Sequence, residues 1–260
     1  MRSSRTRPTS TPTRPSTGTE LVALLGDPVA HSLSPRMQNA AFAARGLDWL
    51  YVACRVDAAE VEEAVRGLAA LGFAGANVTA PHKQAVALLC DELDDAAERG
   101  GSVNTLVFEQ GRVLGSSTDG AAVVGAVQPD GARVLVLGGG GAARAVGAEL
   151  LHAGAADVRL ASRRDGDWPP AGGDVEILVN ATPLGDEVPV APHAGQQVVD
   201  LAYRPDAAPT ALVEAARAAD CEVVVDGVEV LVRQGALSFQ RWTGVAAPID
   251  VMRGAVVSRG

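Results

Sequence analysis

Residues 133–143 read Arg-Val-Leu-Val-Leu-Gly-Gly-Gly-Gly-Ala-Ala. A continuous apolar run of this kind is what a central parallel strand requires, because helices cover both of its faces. The run passes directly into glycine, and residues 144–153 then show helical periodicity. A strand that turns through glycine into a helix confines this part of the chain to a parallel α/β sheet with helical crossovers. Gly138, Gly140 and Ala143 fit the spacing G-x-G-x-x-A, with Gly139, Gly141 and Ala142 between them. Glycine there permits the tight turn and the close approach of a pyrophosphate, and the helix N-terminus offers unpaired N–H groups to it. The spacing alone is weak; its place between strand and helix gives it weight.

The next apolar segment, residues 157–161, ends in Ser162-Arg163-Arg164. A site for NAD places Asp or Glu at this point, to hold the ribose 2′-hydroxyl. Two guanidinium groups and a hydroxyl suit a 2′-phosphate instead, since arginine grips phosphate in a bidentate way. NADP is therefore the expected cofactor, with Asp165 close enough in sequence to neutralise one of the two charges. Further strands are expected at 175–179, 197–200 and 221–225, with a helix over 208–219 between the last two. Residues 122–235 thus read as a dinucleotide-binding domain of Rossmann type.

The first half alternates in the same way. Strands are expected at 21–25, 50–54 and 75–78, helices over 35–45 and 58–71, and a helix start at 84–89. Residues 105–108 and 112–114 flank Glu109-Gln110-Gly111, a hairpin signal. Residues 20–121 read as a separate α/β domain. The stretch 231–257 looks helical, with a break at 243–248.

One residue in this first domain is singular. The chain has 22 basic side chains, and Lys83 is its single lysine. Arginine holds its proton at any accessible pH, whereas an ammonium can release and regain one. Proton transfer is the role this points to; a leftover surface lysine in an arginine-rich chain is the plainer alternative. Ser32, Ser34, Asn77, Thr79, Asn104 and the pair Thr118-Asp119 also fall at strand ends, where open α/β sheets bind ligands. Each alone is an ordinary cap or turn residue. Together they offer hydroxyls, amides, one ammonium and one carboxylate, an inventory suited to a small polyhydroxylated acid.

Composition excludes several classes. The net charge is −9, and beyond residue 19 the balance is −13, which argues against a nucleic-acid footprint. Residues 1–19 carry four arginines, no acid and no apolar residue after Met1, so they are expected to be disordered and are not a secretory signal. No run of 18 apolar residues predicts a membrane span. Cys54, Cys90 and Cys221 are odd in number and far apart, and the four histidines show no ligand spacing. This fits a reducing cytoplasm and no metal site.

Several motifs occur in one order. They are Gly26-Asp-Pro-Val-Ala-His31-Ser32-Leu-Ser34-Pro35, Asn77-Val-Thr79-Ala-Pro81-His82-Lys83, Val103-Asn104-Thr105 and Gly115-x-x-Thr118-Asp119-Gly120. Asn180-Ala-Thr182-Pro-Leu-Gly185, Asp200-x-x-Tyr203-x-Pro205 and Gly227-x-x-x-Leu231-x-x-Gln234-Gly235 follow. From about residue 21 to 256 this resembles the shikimate dehydrogenases. The resemblance implies a two-domain, NADPH-dependent enzyme that reduces 3-dehydroshikimate to shikimate, with the helices of 236–260 returning to the first domain. It implies Lys83 and Asp119 as the catalytic pair. Ser32, Ser34, Asn77, Thr79, Lys83, Asn104, Asp119, Tyr203 and Gln234 would bind substrate. Gly138, Gly139, Gly140, Gly141, Ala142, Ser162, Arg163, Arg164, Thr182, Leu201 and Gly227 would bind the nucleotide. The expected partner is a small molecule, with neither nucleic acid nor membrane, and a homodimer is compatible.

The chain departs from the family pattern at Ser117, where Asn is usual, and at Asp186, Glu229 and Val230. A quinate or aminoshikimate-type dehydrogenase is the neighbouring alternative. A folate-type dehydrogenase fits the Ser32/Ser34 motif poorly, and a catalytically silent NADP-binding regulator conflicts with intact Lys83 and Asp119.

Overall fold

In chain order the first half contains β1 (Glu20–Gly26), α1 (Ser34–Ala44), β2 (Trp49–Arg55), α2 (Val61–Ala70), β3 (Gly75–Val78) and α3 (Lys83–Ala87). β4 (Glu92–Leu93), α4 (Asp95–Gly100), β5 (Thr105–Glu109), β6 (Arg112–Ser116) and α5 (Asp119–Val124) complete it. This computed structural model describes residues 16–164, 166 and 168–257. Most of the expected segments are present within two residues. The helix expected over 58–71 opens with a 3₁₀ turn at Ala58–Glu60. β4, α4 and α5 had no periodic signal because each is six residues or fewer. α4 is defined by its ends instead: Asp94 Oδ1 accepts from the Ala97 N–H at 2.8 Å, and Gly101 closes it in the left-handed region at φ 55°.

The strands form a six-stranded sheet in the order β2-β1-β3-β5-β6-β4. β1 pairs in parallel with β2 and β3, while β5 runs antiparallel to β3 and β6. Gln110 and Gly111 turn the β5–β6 hairpin with φ of 52° and 76°, the positive pair that a two-residue hairpin needs. The expected disorder of residues 1–19 lies partly outside the described residues. Residues 16–19 are ordered, because the hydroxyls of Ser16 and Thr19 both donate to the Asp48 carboxylate at 2.8 Å.

The second half contains β7 (Arg133–Leu137), α6 (Gly141–His152), β8 (Asp157–Ala161), β9 (Ile177–Asn180), β10 (Gln197–Asp200), α7 (Ala211–Ala218) and β11 (Val223–Val225). They form an all-parallel sheet in the order β11-β10-β9-β7-β8. The chain leaves β7 to one side for β8 and then recrosses to β9. The strand order therefore reverses between β7 and β9, where such sheets open a crevice at their carboxyl ends. The β8–β9 crossover contains no helix among its described residues. Trp168 packs there with Leu135, Leu137 and Leu178 against the face of the sheet.

α8 (Gly227–Thr243) and α9 (Ile249–Val257) close the chain. α8 starts four residues before the expected helix start at 231, because Asp226 caps it by accepting from the Glu229 N–H at 2.9 Å. Its first turns reach the second core, where Val230 lies with Val134, Val136 and Val146. Its later turns enter the first core, where Leu231, Val232, Phe239 and Trp242 pack on Val22, Met37, Phe42 and Tyr51. α9 packs on α1 and α8. No described helix is long and apolar enough to cross a membrane.

Candidate active site

Lys83 is the first residue of α3, and Asp119 is the first of α5. Although 36 positions apart, they meet: Lys83 Nζ donates to Asp119 Oδ2 at 2.6 Å, with the side chains only 15% and 9% exposed. Asp119 Oδ1 accepts from Asn104 Nδ2 at 2.8 Å. The Asn104 amide also reaches Thr118 Oγ1 at 2.8 Å and Gln234 Oε1 at 3.3 Å, and its Oδ1 accepts from the Thr118 N–H at 2.9 Å. One amide thus ties the start of α5 to α8 and holds the carboxylate that orients the lysine. An ammonium has three N–H bonds, so donors remain for a ligand oxygen in the cleft.

A second polar layer lies beneath. Asn77 borders the cleft, but both ends of its amide are engaged by protein groups. Its Oδ1 accepts from the Tyr51 hydroxyl at 2.8 Å; its Nδ2 donates to the Asn104 carbonyl at 2.9 Å and to Ser238 Oγ at 3.1 Å. Burial pushes the Tyr51 phenol well above its ordinary range, so it remains a donor. Asn77→Ala is expected to lower unfolding free energy by about 1–3 kcal/mol, because buried polar partners lose a bond that water cannot replace. Urea unfolding of the variant measures this, and Tyr51→Phe in the same background should recover part of it.

The cleft occupies about 890 Å³ between the two sheets. Ser32, Ser34, Thr79, Lys83, Tyr203 and Gln234 line one side. Ser34 begins α1, where its N–H donates to Ser32 Oγ at 3.2 Å and Pro35 carries no N–H, so the two serine hydroxyls are the polar groups this turn offers the cleft. Asp119 stands behind Lys83, with both of its oxygens already bonded.

The glycine loop lines the other side, with Ser162, Arg163, Arg164, Thr182, Leu201 and Gly227. Its geometry fits a dinucleotide. Gly138 has φ 131°, and a Cβ there would sit 3.0 Å from the Ala181 carbonyl oxygen. Gly140 has open space where its Cβ would be, and α6 has no side-chain cap, so backbone N–H groups face the cleft rim unobstructed. A Cβ on Gly141 would approach Lys83 Cβ to 3.0 Å, so the loop packs directly against the lysine. Thr182 is fixed by its hydroxyl donating to Asn180 Oδ1 at 2.6 Å. Asn180 Nδ2 in turn donates to Asp200 Oδ1 at 2.8 Å. Burial raises the Asp200 carboxyl above its ordinary range, against the Thr210 hydroxyl, the Ala202 N–H and Asn180 that favour its anion.

Residues 24–106 match the shikimate dehydrogenase substrate binding domain, and residues 227–257 match the shikimate 5′-dehydrogenase C-terminal domain. A shikimate dehydrogenase (NADP(+)) of Methanopyrus kandleri is 42% identical, over 92% of this chain and 95% of its own length. The chain belongs to the shikimate dehydrogenase family. The shikimate 5-dehydrogenase of Thermus thermophilus, in a crystal structure with NADP(H) and shikimate, is 31% identical with a TM-score of 0.80, covering 91% of this chain and 98% of that one. A 5-ketofructose reductase of Gluconobacter sp. strain CHM43 shares the fold at 29% identity and a TM-score of 0.80, covering 93% of this chain and 99% of that one.

Within the shikimate dehydrogenase family this chain's departures have physical settings. Ser117 Oγ is buried and has no partner among the described residues, while its N–H donates to Asp94 Oδ1 at 3.3 Å. Glu229 accepts from Arg233 Nε at 2.8 Å and from Arg253 Nε at 3.0 Å. Burial pushes the Glu229 carboxyl up, but Arg253 and Arg233 outweigh this and hold it below its ordinary range. Asp186 Oδ1 accepts from Arg204 Nη1 at 2.5 Å. Val230 is buried at the cleft wall. Sequence reasoning did not find Trp168, Tyr51, Thr105 or Ser238. Trp168 had a usable signal, as one of three tryptophans in a chain that is 3% aromatic.

Proposed function

We propose that this protein is an NADP-dependent shikimate dehydrogenase that interconverts the ketone of 3-dehydroshikimate and the alcohol of shikimate. The observation that carries this reading is the position of Lys83, bonded to Asp119 and packed on the glycine loop, at the cleft between the Ser32 and Ser34 side chains and an arginine pair. Residues 20–121 with the helices of 236–257 hold the substrate, and residues 122–235 hold the nucleotide. The hydroxyls of Ser32 and Ser34 bind the substrate carboxylate; Thr79, Asn104, Tyr203 and Gln234 border its ring.

Bound NADP supplies the hydride donor or acceptor carbon. The side chains supply the proton and the electrostatics. Reduction of a ketone puts negative charge on its oxygen; Lys83 Nζ stabilises that charge and passes the oxygen a proton. In the opposite direction Lys83 takes the hydroxyl proton. Asp119 Oδ2 aims the ammonium, and Asn104 fixes Asp119. The three free cysteines fit a reducing cytoplasm, where we place the enzyme.

A panel of shikimate, quinate, an aminoshikimate-type analogue and reduced 5-ketofructose, each with NADP⁺ and NAD⁺, tests the reading by NADPH or NADH absorbance. Shikimate with NADP⁺ should give the highest kcat/KM. Nucleotide binding without turnover of any substrate would instead support a regulator.

A further inference from the structure

Arg163 has two neighbours that the proposed chemistry does not use. Its Nη2 lies 3.2 Å from Glu187 Oε2, and its guanidinium carbon lies 5.6 Å from the centroid of the Trp168 ring. Arg163 and Trp168 both line the cleft. Trp168 is held from behind by the apolar cluster under the β8–β9 crossover. Glu187 itself is exposed, beside Asp186, which pairs with Arg204. A carboxylate is therefore stationed at the guanidinium that a 2′-phosphate would use.

We propose that Glu187 and Trp168 set how strongly this site prefers a phosphorylated dinucleotide. Glu187 is a resident counter-ion that a 2′-phosphate must displace from Arg163, and Trp168 is the platform that keeps the guanidinium at the rim. The inference rests on the NADP reading above. A phosphate dianion entering beside Glu187 meets like charge and must share the arginine's donors. An unphosphorylated ribose meets no such repulsion, and a carboxylate can accept from its 2′-hydroxyl. Glu187 thus narrows the gap between the two cofactors. Arg163 and Glu187 are 58% and 59% exposed, so solvent screening limits the effect to severalfold.

The test is calorimetric titration of the full chain with NADP⁺ and with NAD⁺. Glu187→Gln should tighten NADP⁺ by about two- to fivefold while NAD⁺ binding stays constant or weakens. Trp168→Ala should weaken NADP⁺ by about two- to fivefold, and Trp168→Phe should restore most of it. Glu187 is exposed on a loop, so its variant folds, and a thermal melt verifies this for each protein. If Glu187→Gln leaves the ratio of the two dissociation constants unchanged, or Trp168→Ala leaves NADP⁺ binding unchanged, the inference is wrong while the NADP reading stands. If the wild-type protein binds neither dinucleotide, both fall together.

Discussion

Lys83→Ala is expected to lower kcat by about 10²–10⁴-fold, the usual contribution of a positioned general acid. KM for the ring acid should change far less, because the serine pair and the amides remain. Loss of the ammonium leaves Asp119 buried with one bond, from Asn104, so the single variant will also lose stability. Lys83→Ala combined with Asp119→Asn removes that orphaned charge and separates the chemical effect from the folding effect. Lys83→Arg is the sharper variant: it keeps the positive charge but does not release its proton. It should be nearly as slow as alanine. An arginine variant within tenfold of wild type would show that charge alone, and not proton transfer, is what the site needs. Initial rates of NADPH formation and a thermal melt are sufficient measurements.

Replacing Arg163 and Arg164 together by alanine should raise the NADP⁺ dissociation constant by about 30- to 100-fold. Hydrogen bonds to charged groups contribute about 1.5–3 kcal/mol each, discounted here because both side chains are exposed. NAD⁺ has no 2′-phosphate, so its binding should move by less than about threefold on the same argument. The loss should also shrink as salt is added, because screening weakens exposed charge pairs. Equal weakening of both cofactors would mean that the pair supports the loop without reading the phosphate.

The parts of this protein that a reader of the sequence can see are those with a repeating physical cause. Val134 to Leu137 is apolar throughout because both faces of β7 are covered, and the glycines after it have no other economical use. The hairpin at Gln110-Gly111 was visible for the same reason: its turn demands a backbone that few residues accept. The short helices α4 and α5 were not visible, since one or two turns do not establish a period. The pairing of Lys83 with Asp119 was inferred by resemblance alone. No spacing rule connects residues 36 apart; Lys83 follows β3 and Asp119 follows β6, and the pairing of both strands with β5 brings the two ends of the site together. The inner polar layer was hidden more thoroughly. Asn77, Tyr51, Thr105 and Ser238 satisfy one another inside a buried region, and nothing in a linear sequence marks a polar residue as already partnered. Trp168 was missed because the segment between the expected strands at 157–161 and 175–179 has no periodicity that would place it.

α8 has Val230 in one core and Phe239 in the other. A wall that belongs to two rooms cannot be taken down in one of them alone. Melting either sheet strips apolar cover from its neighbour, so the two halves share a single fate under heat or denaturant. Changes along the middle of α8 therefore reach the substrate side and the nucleotide side at once, even where the altered residue touches neither ligand.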